Sequence, residues 1–286
     1  MAYDRPMETA EEYRQRSLST WNTMAAGWER RRADLDRITT PVREWLVREL
    51  APEPGDTVLE LAAGPGDTGF AVSPLLGEEG RLISTDFSPE MVEVARRHGV
   101  ELGITNVEHQ VQDAEQLELD DDSVDHAVCR FGFMLMSDPD AAIAEARRVV
   151  RPGGRLALAV WRGPEQNPWV AVAGRVLVER GHMPPPEPGA PSMFGMASDE
   201  HTRSLLEGAG FMNVRIEDVP VLLIWSDVDD YVQSAMDTGG MFATAFGGAS
   251  EDEQEALKQA FAEVFAPFAV DDGYALPGLA LVAVAS

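Results

Sequence analysis

Three glycines and one acidic residue in this chain have the spacing of a site for an adenosine-containing cofactor. Gly64, Gly66 and Gly69 stand in the order G-x-G-x-x-G directly after an apolar segment. Glycines let the backbone turn sharply and approach a ligand, because no Cβ intervenes. Asp86 follows about 20 residues later, where a carboxylate can accept hydrogen bonds from both hydroxyls of a ribose. NAD and S-adenosylmethionine (SAM) both contain that ribose, and a glycine-rich turn with a capping Asp and no ligand is the simplest alternative.

The surrounding sequence predicts the elements that must position these residues. Strand-like and helix-like stretches alternate from about residue 42 to residue 211, which is the pattern of βαβ units in a parallel sheet. Because Gly64 follows one strand and Asp86 ends the next, both belong to the carboxyl edge of the sheet, where open α/β sheets bind ligands. The predicted strands cover residues 57–61, 81–86, 107–112, 125–130 and 155–161.

Two helices between these strands have recognisable ends. Ser88 before Pro89 predicts an N-cap with proline at the first helical position, and Gly99 is the predicted end of that helix. Asp138 before a proline predicts the start of a second helix. That helix is expected to stop at the sequence P-G-G, before the next strand begins at Arg155.

The second half of the chain is predicted to add insertions to the sheet. Residues 162–198 contain two proline-rich runs and are expected to form an irregular surface connection, because proline cannot donate a backbone hydrogen bond. A short helix is expected from Asp199, and the predicted strands 214–225 and 274–285 enclose a helical subdomain that Ser250 and Glu253 begin with a capping box. The predicted organisation is a helical cap (1–50), a cofactor-binding core (51–225), a helical lid (226–272) and a final core strand (273–286).

Composition argues against several kinds of partner and site. The formal net charge of −26 would repel phosphate backbones, so no nucleic-acid partner is expected. Cys129 is the single cysteine, which leaves no intrachain disulfide and no cysteine-rich metal site, and we expect a buried core thiol. The histidines include no pair at metal-ligand spacing, so no metal is expected; they are His98, His109, His126, His182 and His201.

The sequence also bears on location. No apolar run approaches the ~20 residues of a membrane helix, and the first residues have neither a basic start nor an apolar stretch. We therefore expect no membrane span and a cytoplasmic location. The sequence does not indicate an oligomeric state.

Four sequence marks resemble one enzyme family. They are V-L-E-L-A-A-G-P-G-D-T-G around the glycines, Asp113 with Ala114 after the third strand, R-R-V-V-R-P-G-G-R-L before the fifth strand, and the final Y-A-L-P-G-L-A-L-V-A-V-A. Together they resemble the class I SAM-dependent methyltransferases, in the branch of the ubiquinone and menaquinone biosynthesis C-methyltransferases. The resemblance implies an α/β fold: a doubly wound, Rossmann-like, mostly parallel seven-stranded sheet with an antiparallel last strand and helical lid insertions.

The resemblance implies SAM as the cofactor and assigns residues to it. Glu60 corresponds to the family's acid near the methionine part of SAM, and an acid there favours a cationic sulfonium over a dinucleotide pyrophosphate. Ala62 departs from the glycine that many members have. Core packing is the alternative role for Trp28 and its neighbour Trp21. The implied cofactor-binding residues are Trp28, Glu60, Ala62, Gly64, Gly66, Asp86, Phe87, Met91, Asp113, Ala114, Arg130 and Phe131.

The expected reaction follows from the same resemblance. Methyl transfer mainly requires that donor and acceptor are aligned and water is excluded, so a catalytic base is optional, and His182 and His201 are the candidates for one. The sequence lacks the Asn-Pro-Pro-Tyr motif of members that methylate adenine or glutamine. We expect transfer to carbon or oxygen of a small, largely apolar acceptor such as a quinone precursor, phenol or polyketide. The alternatives are a SAM-binding partner or regulator without catalysis, and an NAD-dependent dehydrogenase.

Soft apolar side chains in the two insertions predict a place for this acceptor. Inserts at the carboxyl edge of an open sheet overhang the ligand crevice, and Met and Phe suit a pocket for a flat apolar molecule. The alternative is that these side chains fill a small core beneath the lid. They are Met183, Met193, Phe194 and Met196 in the first insertion, and Met236, Met241, Phe242 and Phe246 in the second.

Overall fold

A computed structural model describes residues 9–186 and 191–286 of the chain. Its strands are β1 (Thr57–Glu60), β2 (Arg81–Asp86), β3 (Val107–Val111), β4 (Val124–Arg130), β5 (Val150–Trp161), β6 (Arg215–Trp225), β7 (Ala269–Val270) and β8 (Gly273–Ala285). Its α-helices are α1 (Ala10–Leu50), α2 (Asp67–Val72), α3 (Pro89–Leu102), α4 (Pro139–Val149), α5 (Pro168–Glu179), α6 (Asp199–Gly208), α7 (Val228–Thr238), α8 (Gly240–Gly247) and α9 (Glu251–Phe265). Residues 1–8 of the predicted cap and 187–190 of the predicted irregular insertion lie outside the described residues.

The strands form one mixed sheet in the order β3-β2-β1-β4-β5-β8-β6, to which the two-residue strand β7 is added beside β8. The first five strands run parallel to one another, whereas β8 is antiparallel to both β5 and β6. The predicted mostly parallel sheet with an antiparallel last strand is therefore confirmed. The order of the strands reverses between β1 and β4, and this is the point where open α/β sheets have a ligand crevice at their carboxyl ends.

The centre of the sheet is apolar on both faces. Ala127, Val128 and Cys129 of β4 are fully buried, as expected for a parallel strand with helices on both sides. The predicted buried core thiol is thus confirmed, and burial raises the pKa of Cys129 to about 12. The side chain remains a protonated packing group at neutral pH.

Helix α1 is 41 residues long and runs from the edge strand β6 to the carboxyl end of β4. A capping box between Thr9 and Glu12 begins it. Trp45, near its end, is buried and donates a hydrogen bond from Nε1 to Glu217 of β6 at 3.0 Å. At the other end the Tyr13 hydroxyl donates to the carbonyl oxygen of Leu135, beyond the end of β4, at 2.9 Å. The first half of α1 therefore lies over the carboxyl edge of the sheet.

The start of α3 is as predicted, but its end is not. The Ser88 hydroxyl accepts a hydrogen bond from the backbone N–H of Met91 at 3.2 Å, and Pro89 is the first helical residue. The helix runs past Gly99 and ends at Gly103, which has the left-handed φ of +69° that a C-cap glycine commonly adopts. A Cβ on Gly99 would lie 3.2 Å from the Phe70 ring, so Gly99 serves close packing rather than helix termination.

The start of β5 was also predicted too late. Asp138 caps α4 as expected, accepting from the backbone N–H of Ala141 at 3.0 Å. The strand then begins at Val150, which pairs with Val124, although the register between β4 and β5 shifts before His126. The P-G-G run is therefore an irregularity within β5 and does not separate α4 from the strand.

The prediction that residues 162–198 are irregular was wrong for α5. Prolines flank this 12-residue helix, and Pro168 occupies its first turn, where the missing N–H costs nothing. Between the prolines, W-V-A-V-A-G-R-V-L-V-E has no helix breaker other than one glycine, and its Ala173 and Leu177 are fully buried. The prolines thus restrict only the ends of this segment, and the residues between them form a helix of about three turns.

Three helices fill the long insertion between β6 and β8. The Ser250 hydroxyl caps α9 by accepting from the N–H of Glu253 at 3.4 Å, while the Glu253 side chain contacts His182 and Arg180 of the first insertion. The Ser250 half of the predicted capping box is therefore formed, and the Glu253 half is not.

The boundaries of the predicted domains stay a prediction. Among the described residues, no helix is long and apolar enough to cross a membrane.

Candidate functional site

The glycine turn follows β1 directly and is made by residues with left-handed backbone angles. Ala62, Gly64 and Gly66 have φ values of +49°, +53° and +86°. Gly66 is also the N-cap of α2. Glycine adopts such angles without strain, whereas Ala62 does so as one of the few non-glycine residues with positive φ. The turn brings the backbone of residues 62–66 to the carboxyl edge of the sheet.

Asp86 ties this turn to the end of β2. Its Oδ2 accepts a hydrogen bond from the N–H of Gly64 at 2.9 Å, and its Oδ1 accepts from the N–H of Ser88 at 3.0 Å. The side chain is buried, and this burial raises the pKa of Asp86 to about 6, although the backbone N–H groups oppose the rise. The sequence spacing that suggested a common site is thus matched by a direct contact.

Glu60 lies beneath the same turn. It is 2% exposed; its Oε1 accepts from the N–H of Gly69 at 2.8 Å and its Oε2 accepts from the Ser84 hydroxyl at 3.4 Å. Burial raises the pKa of Glu60 to about 7. A Cβ on Gly69 would lie 2.3 Å from Oε2. The third glycine of the motif therefore leaves room for a buried carboxylate.

Asp67 is a site residue that the sequence reasoning missed. It is the first residue of α2 and is buried; burial raises its pKa, and the Arg130 guanidinium, whose Nη2 lies 3.7 Å from Oδ2, opposes that rise. Arg130 ends β4, is itself largely buried and contacts the Thr39 hydroxyl of α1. An acid directly after G-x-G, at a helix start, was the available signal. We call Glu60, Asp67 and Asp86 the acidic edge.

His98 is a second missed residue, and it supports the glycine turn from α3. Its Nε2 contacts the guanidinium of Arg32 on α1, and its Nδ1 lies 2.8 Å from the carbonyl oxygen of Pro65. Because Arg can only donate, Nε2 accepts and Nδ1 carries the proton that it donates to Pro65. His98 therefore connects α1 to the turn. Its spacing from Met91 and Ala95, on the buried face of α3, was the available signal.

Asp113 and Ala114 lie just beyond β3, under the start of α1. Oδ1 of Asp113 accepts from the N–H of Glu115 at 2.9 Å, and Oδ2 lies 3.4 Å from Nε of Arg14. Arg14 also pairs with Glu115, Nη2 to Oε2, at 2.5 Å. Ala114 is buried. The first turns of α1 therefore cover the end of β3 by an ionic contact.

Phe131 follows Arg130 in an unusual conformation. Its φ of +63° is a left-handed angle that bulky residues rarely adopt. Its ring stacks on Trp161, with centroids 4.2 Å apart and planes 9° from parallel, and Trp161 in turn meets Trp169 edge to face. The ring of Phe131 thus lies towards the end of β5, on the side of the crevice away from Asp86.

The Ala62 methyl group is accommodated by another glycine. A Cβ on Gly132 would lie 2.6 Å from the Cβ of Ala62 and 2.7 Å from the sulfur of Cys129. The φ of Gly132 is −92°, which any residue can adopt, so space and not backbone angle requires glycine there. Gly132 was not among the predicted site residues.

The remaining predicted cofactor residues are packed between α1 and α3. Trp28 donates from Nε1 to the carbonyl oxygen of Thr238 at 3.2 Å and meets Trp21 edge to face at 5.5 Å. Both tryptophans pack against the cluster that contains Met91, which is 1% exposed. Phe87, between Asp86 and Ser88, is half-buried. Both tryptophans therefore have packing contacts in this structure, and a contact of Trp28 with the cofactor stays a prediction.

The two candidate bases contact elements other than the glycine turn. His182 Nε2 lies 3.2 Å from Oε1 of Glu253 at the start of α9. His201 is exposed in the first turn of α6, where its N–H donates to the Ser198 hydroxyl. The structure does not bring either histidine to the acidic edge.

The soft side chains of the insertions have different surroundings. Phe242 and Phe246 stack on each other at 5.6 Å and join an aromatic cluster with Tyr231, Phe261 and Phe265. Met196 of the first insertion is 1% exposed, whereas Met241 is 69% exposed. For Phe242, Phe246 and Met196 the structure supports core packing over the roof of an acceptor site.

Residues 38–168, which contain the glycine turn and the acidic edge, match the model of the ubiE/COQ5 methyltransferase family. Over 115 residues the chain is 35% identical to the ubiquinone/menaquinone biosynthesis C-methyltransferase UbiE from Teredinibacter turnerae, a match that covers 40% of this chain and 46% of that protein. An uncharacterised 37.1 kDa protein in a transposon of Streptomyces fradiae is 41% identical over 109 residues, 38% of this chain and 31% of that protein. The match thus spans less than half the length of both relatives.

Two solved structures have a similar fold. The YcgJ protein from Bacillus subtilis has a TM-score of 0.59 at 20% identity, covering 85% of this chain and 96% of that one. Geranyl diphosphate C-methyltransferase from Streptomyces coelicolor has a TM-score of 0.52 at 17% identity, covering 88% and 81%. At these identities the similarity concerns the fold alone. Residues 38–168 are therefore related in sequence to the ubiE/COQ5 methyltransferases, and the family resemblance predicted from the motifs is confirmed.

Proposed function

We propose that the chain is a SAM-dependent methyltransferase that moves a methyl group to carbon or oxygen of a small, largely apolar acceptor. The observation that carries the proposal is the acidic edge, whose three carboxyl groups are buried around the glycine turn beside the largely buried guanidinium of Arg130. Burial raises the pKa of each of these carboxyl groups, because their negative charges are poorly solvated. A positively charged ligand would relieve that cost.

The residues present fit SAM. Asp86 has a carboxylate at the ribose position, and Gly64 and Gly66 expose backbone beside it. Glu60 and Asp67 would stabilise the positive charge of the methionine end, and Asp113 with Ala114 lies at the end of β3, where the family places the adenine. When bound, SAM would supply an electrophilic methyl group on its sulfonium.

A dinucleotide fits the same residues less well. Its pyrophosphate would need the N-terminus of α2, the position at which helix dipoles and free N–H groups bind phosphates. Asp67 occupies the first position of that helix, and the N–H of Gly69 is already bonded to Glu60. Two buried acids at this point would repel a pyrophosphate, which disfavours the NAD-dependent alternative.

The chain's own contribution to the reaction would be alignment and exclusion of water. Helix α1 covers the edge: Asn22 accepts a hydrogen bond from the Ser88 hydroxyl at 2.7 Å, and Arg14 lies against Asp113. In this proposal residues 1–50 act as a cap and residues 226–272 as a lid. Both would shield the reacting atoms, and no general base is assigned.

The proposal also covers the class of acceptor and the location of the protein in the cell. A net charge of −26 supports a small-molecule acceptor over a nucleic acid. A single, buried and reduced cysteine is compatible with the cytoplasm, which we propose as the location. A catalytically inactive SAM-binding partner or regulator shares the cofactor residues and differs only in the outcome of a turnover assay.

Calorimetric titration with SAM and with NAD tests the cofactor. We expect SAM to bind, and Asp86→Ala to lose on the order of 2 kcal/mol of binding free energy, about 30-fold in affinity, because a charge-assisted contact to the ribose is removed. The affinity should also rise between about pH 5 and pH 7, since Asp86 ionises with a pKa near 6. Asp140→Ala, exposed on α4, is the control. Binding of NAD but not SAM, or unchanged binding by Asp86→Ala, would contradict the proposal.

Turnover is tested separately with methyl-labelled SAM and a metabolite library, with label transfer followed by mass spectrometry. A labelled product identifies the acceptor and supports the enzyme. Tight SAM binding with no transfer across quinone precursors, phenols and polyketides would favour the inactive regulator.

A further inference from the structure

A cleft of about 520 Å³ lies between α1 and the helices α7 and α8. Its walls are the stretch of α1 from Ser19 to Arg30 and the stretch from Met236 to Thr244. This volume is within the range of small-molecule sites. We propose that the cleft binds a neutral small molecule that has an apolar face and carries a hydroxyl or N–H donor, at a site separate from the acidic edge.

The two sites lie on opposite faces of α1. Thr20, Thr23 and Gly27 face the cleft. Asn22 contacts Ser88, next to Asp86, and Ala25 packs against α3. Residues at these two sets of positions point in opposite directions on a helix with 3.6 residues per turn. The cleft is therefore not the cofactor crevice, and its occupant goes beyond the proposed methyl transfer.

Close contacts beside the cleft fix the distance between α1 and the helices α7 and α8. A Cβ on Gly27 would lie 2.1 Å from the carbonyl oxygen of Asp237, and a Cβ on Gly240 would lie 2.4 Å from Cγ2 of Thr20. Arg30 and Arg31 both pair with the Asp237 carboxylate, at 2.6 and 3.0 Å. The helices are thus in contact at these points beside the cleft, which remains open to solvent on one side.

The charges of the cleft indicate a neutral ligand. The charged side chains among its described lining residues are Arg30 and Asp237, and these two neutralise each other. A ligand carboxylate would have to compete with Asp237 for Arg30 in a protein of net charge −26, and a ligand cation would meet a carboxylate that two arginines already hold.

Three of the four hydroxyl groups that line the cleft, those of its threonines, indicate which polar group the ligand carries. Thr20, Thr23 and Thr244 each donate their one hydroxyl hydrogen to a backbone carbonyl four residues earlier, at 2.9 Å. Only their lone pairs remain, so these side chains can accept but not donate. The thioethers of Met24 and Met236 supply a soft apolar wall that adapts to a flat molecule. A hydroxylated aromatic compound has both properties.

Binding of β-naphthol, followed by calorimetry on the full chain, tests the cleft. We expect saturable binding of one molecule, and a loss of roughly tenfold or more when the cleft is filled from either wall, by Ala243→Leu on α8 or Ala26→Leu on α1. Ala144→Leu, which adds the same atoms at an exposed position of α4, should bind as the wild type does. Two filling variants from opposite walls keep the test decisive if one of them folds poorly.

The hydroxyl acceptor is tested by Thr23→Val, which keeps the shape of the side chain. We expect Thr23→Val to bind β-naphthol about fivefold more weakly than the wild type does, which is the effect of one neutral hydrogen bond. The methyl ether of β-naphthol has no O–H to donate, so the variant and the wild type should bind it equally. Thr40→Val is the control for loss of a threonine hydroxyl on the same helix outside the cleft, where Thr40 donates to a carbonyl four residues earlier and accepts from Arg43. No saturable binding to the wild type, or equal binding by both filled variants, overturns the proposal. Titration of the same variants with SAM reports separately on the cofactor site, and we expect it to be unchanged.

Discussion

The carboxyl edge of the sheet and the helices α7, α8 and α9, which we propose form a lid, are stabilised in opposite ways. At the edge, Glu60 and Asp86 are buried acids that hold a tight turn through single hydrogen bonds from Gly69 and Gly64. In the lid, α7, α8 and α9 meet around a cluster of five aromatic side chains. One of them, Phe261, is fully buried and contacts Tyr231. The edge keeps groups that cost free energy to bury, whereas the lid gains free energy from almost every buried group.

This difference indicates that the edge serves ligand binding and that the lid serves stability. Buried carboxyl groups with raised pKa values are typical of functional sites, since a well-packed core would replace them with apolar groups. An aromatic cluster at centroid distances of 4.7 to 6.4 Å is typical of a small core. Substitutions in the lid should therefore change stability, and substitutions at the edge should change ligand binding or the response to pH.

The largest effect is expected in the lid core. Phe261→Ala removes a fully buried ring that contacts Tyr231, Phe242 and Phe246, and should lower the free energy of unfolding by about 3–5 kcal/mol. Urea denaturation measures this loss, and the affinity for SAM should stay within about twofold where the protein is folded. Gln259→Ala, exposed on the same helix, is the control. A small loss of stability accompanied by a large loss of SAM affinity would reverse the comparison.

Glu60→Gln should change the pH dependence of stability. The carboxyl group has a pKa of about 7 in the folded chain, against an ordinary value of 4.5 for a solvated glutamate, so its contribution is fully present below pH 4.5 and is lost as pH rises through about 7. At about 1.4 kcal/mol for each pKa unit, the wild type loses roughly 3 kcal/mol across this window, a loss that the uncharged variant avoids.

The measurement compares urea denaturation of both proteins, without SAM, at about pH 5 and about pH 8. Glu60→Gln should gain stability relative to the wild type at the higher pH, and the difference should shrink towards the lower one. Glu90→Gln, exposed at the start of α3, should show no such trend. A difference that is equal at both pH values would show that burial of the Glu60 charge costs nothing.

The edge was easier to predict from the sequence than the lid, for a physical reason. The turn from β1 to α2 is formed by residues close together in the chain, so the glycine spacing predicted its geometry. The start of α3 was likewise predicted by the adjacent pair Ser88 and Pro89. The strands of the sheet followed from short apolar runs. The arrangement of the lid depends on which faces of α7, α8 and α9 meet, and the pattern of Phe and Met did not determine this.

The edge residues that could not be predicted, such as His98 and Gly132, depend on contacts between segments that are distant in the sequence. His98 supports Pro65 only because α3 packs on α2, and Arg32 reaches it from α1. The need for glycine at Gly132 arises from Ala62, 70 positions earlier. Neither pair has a fixed spacing in the sequence, so no local pattern indicates which residue His98 or Gly132 contacts. Gly99 was misjudged for the same reason, since its packing against Phe70 outweighed its tendency to end a helix.

The pair of Ala62 and Gly132 gives a smaller effect that tests the packing of the glycine turn. Gly132→Ala would place a methyl group within 2.6 Å of the Ala62 Cβ and should cost about 1–3 kcal/mol of stability by overpacking. Ala62→Gly removes one of the clashing groups and restores the residue that suits a φ of +49°. The double variant should therefore recover part of the loss, because contact with the Cys129 sulfur remains.

A double-mutant cycle measured by thermal or urea denaturation reports this coupling. Additive losses would show that the two residues do not share one space, and that the departure at Ala62 is accommodated elsewhere. SAM affinity measured on the same four proteins shows whether the turn keeps its shape when its packing changes.

The smallest effect is expected at Met241, and it separates exposed lid residues from buried ones. Met241 is 69% exposed at the start of α8, so Met241→Ala should change the free energy of unfolding by no more than about 0.5 kcal/mol. Phe242, the next residue, packs on Tyr231, Phe246 and Phe261, and Phe242→Ala should lower the melting temperature clearly. Differential scanning calorimetry of the two variants makes the comparison directly. If Met241→Ala lowers turnover of an identified acceptor without changing melting temperature or SAM affinity, Met241 contacts that acceptor from the solvent side of the lid; if it lowers the melting temperature as Phe242→Ala does, the lid is packed differently from this structure.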